Sequence, residues 1–160
     1  MRYQIKQRVL SMGDSFTIKD EFDNDRFIVR GKIFSFGNKL RIYDLNGREV
    51  SYIEQEMFHF LPRYNIYLNE IYAATVKKEM SFFKPSFYIE STMGNYTMEG
   101  EIFSHEFQIF KDGREVAYVS KKWFSFSDTY GVDIGDTENQ EFMLSLVIVI
   151  DQILYDNRNK

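Results

Sequence analysis

Cysteine is absent from this 160-residue chain, so neither disulfides nor thiolate sites contribute, which fits an intracellular, cytoplasmic location. Proline occurs twice and glycine nine times, too little for a disordered or low-complexity chain. Long apolar runs are missing too. The greasiest, Phe142–Ile150, has about half of the roughly 18 residues a membrane span needs. The first ten residues, MRYQIKQRVL, lack the apolar centre of a signal peptide. Positive charge is not in excess either: the net charge of −4 disfavours a nucleic-acid binder. What the chain does have is aromatic bulk, 18% of it, mostly Phe and Tyr, which favours strands around a large interior.

The chain also repeats itself. RFIVRGKIFS (26–35) and NYTMEGEIFS (95–104) share Gly-x-Ile-Phe-Ser at an offset of 69. RIYDLNGREV (41–50) and QIFKDGREV (108–116) share Gly-Arg-Glu-Val at 66, SFTIK (15–19) matches SFYIE (86–90) at 71, and YNIYL (64–68) matches YGVDI (130–134) at 66. Four collinear blocks define two copies of one unit, about 5–68 and 76–134, within a single domain. Each copy reads as about six short strands. Asn46-Gly47 and Asp112-Gly113 have the composition of type I′ hairpin turns, and Gly31 and Gly100 fall mid-strand at equivalent positions, where glycine marks a bulge or bend. About twelve antiparallel strands in one small domain curl and close, which removes exposed edges.

The unduplicated tail reads as a helix over about 137–156. Thr137 and Gln140 stand at capping-box spacing, and Asp136 and Glu138 suit the positive end of a helix dipole. Its polar stripe is thin, only Glu141, Ser145 and Gln152, so the helix must be buried on every side. A barrel of about twelve strands is too wide to be filled by its own side chains. The expected fold is therefore mainly β: a closed barrel plugged by its hydrophobic C-terminal helix.

Catalytic and metal-binding constellations are missing. GDSF (13–16) has the look of a Gly-Asp-Ser-Leu hydrolase block, but the Asp-x-x-His pair that would activate Ser15 is absent: Glu56 and Ile102 precede His59 and His105 by three. Glu21, Asp23 and Asp25 alternate as calcium ligands do, yet Arg26 and Lys32 stand where an EF-hand loop needs Gly and Glu, which leaves at most weak calcium binding at the Asp20–Asp25 turn. The two histidines are not equivalent in the repeat and no ligand cluster accompanies them. No glycine-rich phosphate cradle opens a helix, and no cofactor is expected.

Charge is mildly uneven along the chain. Residues 1–68 carry 11 Lys+Arg and 9 Asp+Glu, a net of +2, and residues 69–160 carry 9 and 15, a net of −6. Arg30 and Lys32 point to one face of a strand, opposite Phe27, Val29 and Ile33, and Lys39 and Arg41 repeat the spacing on the next strand. Four cations on adjacent strands suit a phosphate-bearing headgroup, whereas the second copy has Glu99 and Glu101 in place of Arg30 and Lys32. Lys121-Lys122 beside Trp123 offers a second anion or membrane-edge contact, through one lysine only if the segment is a strand.

The blocks YQIKQRVLSMGDSFTIKDE, FFKPSFYIE, KKWFSFSDTYGVDI and the closing apolar helix ending in Asp151 resemble the LURP-one-related family almost end to end. The resemblance implies the fold of the tubby C-terminal domain and of phospholipid scramblases, a twelve-stranded barrel around a central helix; it implies little about activity. FIVRGKIFSFGNKLRIYD (27–44) is similar to the strand pair with which tubby domains bind phosphoinositides, and it places Arg30 and Lys32 on the two basic positions with Arg and Lys exchanged and Val29 for a glycine. The reading is a non-enzymatic binding module for anionic phospholipid headgroups or a membrane surface, peripheral to the membrane. The alternative is a structural or adaptor domain for an unidentified protein partner, without lipid affinity.

Overall fold

The structure is a computed structural model that describes residues 1–6, 15–32, 37–125 and 128–158. Twelve strands run β1 (Arg2–Lys6), β2 (Ser15–Asp20), β3 (Asp25–Lys32), β4 (Lys39–Tyr43), β5 (Glu49–Gln55), β6 (Arg63–Leu68), β7 (Ile71–Glu79), β8 (Ser86–Ser91), β9 (Tyr96–Glu101), β10 (Glu106–Lys111), β11 (Arg114–Ser120) and β12 (Thr129–Ile134). A short 3-10 turn, Ile102–Ser104, separates β9 from β10, and one helix, α1 (Gln140–Arg158), ends the chain.

The strands form one antiparallel sheet in the order β8-β7-β6-β5-β4-β3-β2-β1-β12-β11-β10-β9. Pairing of β1 with β12 joins the two halves, and the sheet curls into a nearly closed barrel with one open seam between β8 and β9. The seam falls where the two copies of the repeat differ. In the first copy, the Asp20 carboxylate accepts hydrogen bonds from Phe22 N, Asn24 N and Asn24 Nδ2, tying down the turn that joins β2 to β3. In the second copy Ser91 stands at the place of Asp20, and its hydroxyl accepts only from Met93 N. β2 and β3, joined by the carboxylate-held turn, pair along their length, whereas β8 and β9 do not.

Inward positions repeat along with the sequence. Ile42 and Ile109 are fully buried at equivalent places, as are Ile66 and Val132. The ladder slips by one residue at Ile42/Tyr43 and again at Ile109/Phe110, so the bulges match between the copies. The glycines do not mark them. Gly31 lies in unbroken register opposite Leu40. Gly100 does require glycine: its φ is 123°, and a Cβ there would stand 2.7 Å from the Glu106 carbonyl oxygen. The two hairpins differ too. Asp112 and Gly113 both have positive φ, as a type I′ turn needs, but in the first copy only Gly47 does. One extra residue there lets Asp44 Oδ1 accept from both Asn46 N and Arg48 N, a wider turn held by a side chain.

α1 fills the lumen. All thirteen residues from Phe142 to Leu154 are at most 2% exposed, Ser145 and Gln152 of the polar stripe included; Glu141, in the first turn, is half-buried. Its start differs from the capping-box expectation. Asn139 is the cap, accepting from Phe142 N at 2.9 Å, and Gln140 donates to the Gly135 and Glu138 carbonyls instead of reaching back to Thr137. The polar groups inside find partners on the wall. Ser145 Oγ lies 2.6 Å from Ser51 Oγ, and at the far end Tyr64 OH donates to Asp156 Oδ2 at 3.1 Å. Among the described residues no helix is long and apolar enough to cross a membrane.

Candidate functional site

Antiparallel register brings the four cations together. Val29, Leu40 and Ile42 face the core, so their neighbours Arg30, Lys32, Lys39 and Arg41 face outward. Arg30 stands directly opposite Arg41, and Lys32 directly opposite Lys39. With Ser15, Gly31 and Tyr43 they line a groove of about 540 Å³ on the barrel wall.

Like charges in direct opposition repel, and the surroundings show how this is relieved. Arg41 Nε lies 2.8 Å from Glu49, and its guanidinium sits 4.5 Å over the Tyr52 ring, which stacks on Tyr67 with centroids 6.0 Å apart. Arg30 lies 5.5 Å over Tyr43. Arg30 and Lys32 are exposed, Lys39 and Arg41 half-buried. The members are therefore unequal: Arg41 is held and partly neutralised. Ile33, the apolar neighbour expected beside Lys32, lies outside the described residues.

Half a turn around the barrel, the matching hairpin β9–β10 sets Gln108 opposite Glu99 and Glu106 opposite Glu101. One scaffold thus presents a cationic groove on one wall and a carboxylate face on the other. The architecture does not demand the cations.

Residues 1–151 match the LURP-one-related family. The chain belongs to that family. It is also 34% identical over 157 residues to an uncharacterised Bacillus subtilis (strain 168) protein, YxjI, a match that covers 98% of this chain and 95% of that one. The X-ray structure of an Arabidopsis thaliana protein superposes with a TM-score of 0.65 at 17% identity, covering 95% of this chain and 91% of the other, which shows a shared fold.

Elsewhere on this LURP-one-related barrel the other candidates come apart. Gly13 and Asp14 of GDSF lie outside the described residues; Ser15 opens β2 opposite Arg30, exposed. At the acidic turn, Lys19 Nζ sits 3.6 Å from Asp23 and 3.7 Å from Asp25, where a calcium ion would have to be. Burial works to raise the Asp20 carboxyl, but hydrogen bonds from Asn24 N, Asn24 Nδ2 and Phe22 N outweigh it and hold the group below the usual carboxylate range. Among the described residues no cluster of His, Asp and Glu could hold a metal ion. Lys121 and Lys122 follow the end of β11 and lie in a bend, not a strand, so strand alternation does not govern them. Trp123 is taken by Arg2, whose guanidinium lies 4.1 Å over the ring.

One pair was missed by sequence reasoning. His105 Nε2 lies 2.7 Å from Asp151 Oδ1, both 2% or less exposed, with the His105 ring 4.6 Å from that of Tyr130. The residues lie on different elements, 46 positions apart, and no spacing rule joins them. The only signal was Asp151 itself, a carboxylate at the end of an otherwise apolar run.

Proposed function

We propose that this LURP-one-related protein is a non-enzymatic binding module whose β3–β4 groove takes phosphate-bearing anions, foremost the headgroups of an anionic phospholipid surface. The observation that carries the reading is the register that sets Arg30 against Arg41 and Lys32 against Lys39 around one groove. Four cations held this closely are a cost to the fold by themselves and a gain once an anion lies among them. Near an anionic surface each unpaired cation contributes about 1 kcal/mol, so roughly 4 kcal/mol, close to a thousandfold, is the upper bound for the four. Arg30 and Lys32 carry more of this than Arg41, which Glu49 already holds.

Co-sedimentation with vesicles tests it. Phosphatidylcholine vesicles containing phosphatidylserine or a phosphoinositide should bind the protein, and plain phosphatidylcholine should bind it far less. Binding should weaken as salt rises to several hundred millimolar, because screening shortens the reach of the charges. Arg30→Glu with Lys32→Glu should abolish it; Glu99→Gln with Glu101→Gln on the opposite wall should change it little. Anionic-vesicle binding indifferent to Arg30 and Lys32, or no binding at low salt, would overturn the reading and favour an adaptor for protein contacts.

A further inference from the structure

Six large apolar side chains stand in water at one end of the barrel. Phe58 and Phe60 in the β5–β6 connection are 102% and 88% exposed; Met80, Phe82 and Phe83 in the β7–β8 connection are 69%, 93% and 96% exposed. Phe103, in the turn after β9, is 53% exposed and lies at the same end, where Lys84 reaches Glu101 at 3.9 Å. The two connections are neighbours, since Arg63 pairs with Lys77 and Glu79 with Ser86 where they leave the sheet. They also resemble one another in MFHFLP (57–62) and MSFFKP (80–85), and between them they hold one carboxylate, Glu56, which lies 3.8 Å from Arg63. Phe58 adds strain to exposure, with a φ of 68° that a bulky residue rarely adopts and a side chain that touches nothing to compensate. Folding explains none of this. A clustered apolar patch of this kind marks a contact surface.

Charge selects what is contacted. At the opposite end, the turns 21–24, 44–48, 69–70, 112–113 and 135–139 hold seven carboxylates and one cation, Arg48. That end repels an anionic surface; the described turns of the aromatic end, with two carboxylates (Glu56 and Asp128) against three lysines (Lys84, Lys121 and Lys122), do not. The Lys32–Lys39 rung of the basic groove lies at the aromatic end as well, because Lys39 pairs with Glu54 just before the β5–β6 connection. From the β3–β4 pair to the β7–β8 pair is four strands, about 19 Å along the rim. One tilted bilayer plane can therefore meet the cations and both connections together.

Resting on the membrane-surface reading above, we propose that the barrel docks end-on to an anionic bilayer, with the Phe58/Phe60 and Phe82/Phe83 loops inserted between headgroups and the basic groove against the phosphates. Aromatic rings at the headgroup level and cations beside them are the chemistry of an interfacial contact.

The absence of cysteine gives a direct test. Phe60→Cys and Phe83→Cys each take a single environment-sensitive thiol dye, and Leu45→Cys in the β4–β5 turn at the far end is the control. On phosphatidylcholine vesicles containing phosphatidylserine, the dyes at 60 and 83 should shift to the blue and become shielded from iodide, and the dye at 45 should not. Phe58→Ser with Phe60→Ser, and Phe82→Ser with Phe83→Ser, should each weaken partitioning by about tenfold or more without moving the melting temperature, since these rings bury little in the fold. Binding that needs Arg30 and Lys32 while both loop dyes stay open to iodide would overturn the insertion and leave the charged groove standing. Shielding that persists on neutral vesicles and in Arg30→Glu/Lys32→Glu would support insertion and sink the groove. A dye shift that follows protein concentration without vesicles would show a second copy as the occupant, not lipid.

Discussion

His105 and Asp151 meet at 2.7 Å inside the barrel, one from the turn between β9 and β10 and one from the central helix. Among the described residues their outer atoms, His105 Nδ1 and Asp151 Oδ2, have no hydrogen-bond partner, and neither has the hydroxyl of Tyr130 next to them. Burial pushes that hydroxyl well above its ordinary pKa, and the Asp151 carboxylate pushes it further in the same direction. The pair therefore latches the helix to the wall at a point where polar groups are costly.

Removing either partner strands the other. His105→Ala and Asp151→Ala should each cost about 3–5 kcal/mol, read as a lower urea midpoint, while the double change to Leu should cost less than either single one. Two single variants within about 1 kcal/mol of the parent would show that the contact holds nothing.

The helix is the core and not an appendage. Ten large apolar side chains between Phe142 and Leu154 are buried, which at roughly 2 kcal/mol each exceeds a typical net stability of 5–15 kcal/mol. A chain ending at Ile134 should give no cooperative melt and should bind a hydrophobic dye. Ile148→Asp should be nearly as damaging. It would put a second carboxylate one helical turn from Asp151, and a single imidazole faces the two.

Glycine substitutions should separate strain from steric collision. Gly100→Ala meets both a φ of 123° and the Glu106 oxygen at 2.7 Å, so a loss of about 3 kcal/mol or more is expected. Gly47→Ala meets only its φ of 82°, with nothing near the new carbon, and should cost about 1 kcal/mol. Equal losses in thermal denaturation would contradict the assigned backbone at Gly100.

Alkali should unfold the protein through its tyrosines. Burial first, then the Glu138 and Asp112 carboxylates, push the Tyr96 hydroxyl up to about 12 from its ordinary value near 10; burial and Asp156 push Tyr64 higher still. A raised folded pKa means the unfolded chain loses its protons first. The stability is whole below about pH 10 and falls as pH climbs from there through about 12. Urea midpoints should drop across that window, less steeply in Tyr96→Phe. A flat profile would count against neutral, buried hydroxyls.

Sequence alone determined the elements that rest on local periodicity and on repetition. Alternation and hairpin chemistry are short-range, so six strands per copy could be read along the chain, and a helix apolar on all sides had to be enclosed by them. The outward pairing of Arg30 with Lys32 followed from the same two-residue period. Only the tertiary structure decided what depends on residues far apart. The open seam lies where Ser91 takes the place of Asp20; the holding of Arg41 follows from Glu49 and Tyr52 on a neighbouring strand. The helix start depends on which side chain reaches Phe142 N, and that was Asn139, not Thr137. His105 found Asp151 because curling the sheet around the helix set them face to face, and no local pattern encodes which residues a closed barrel places across its lumen.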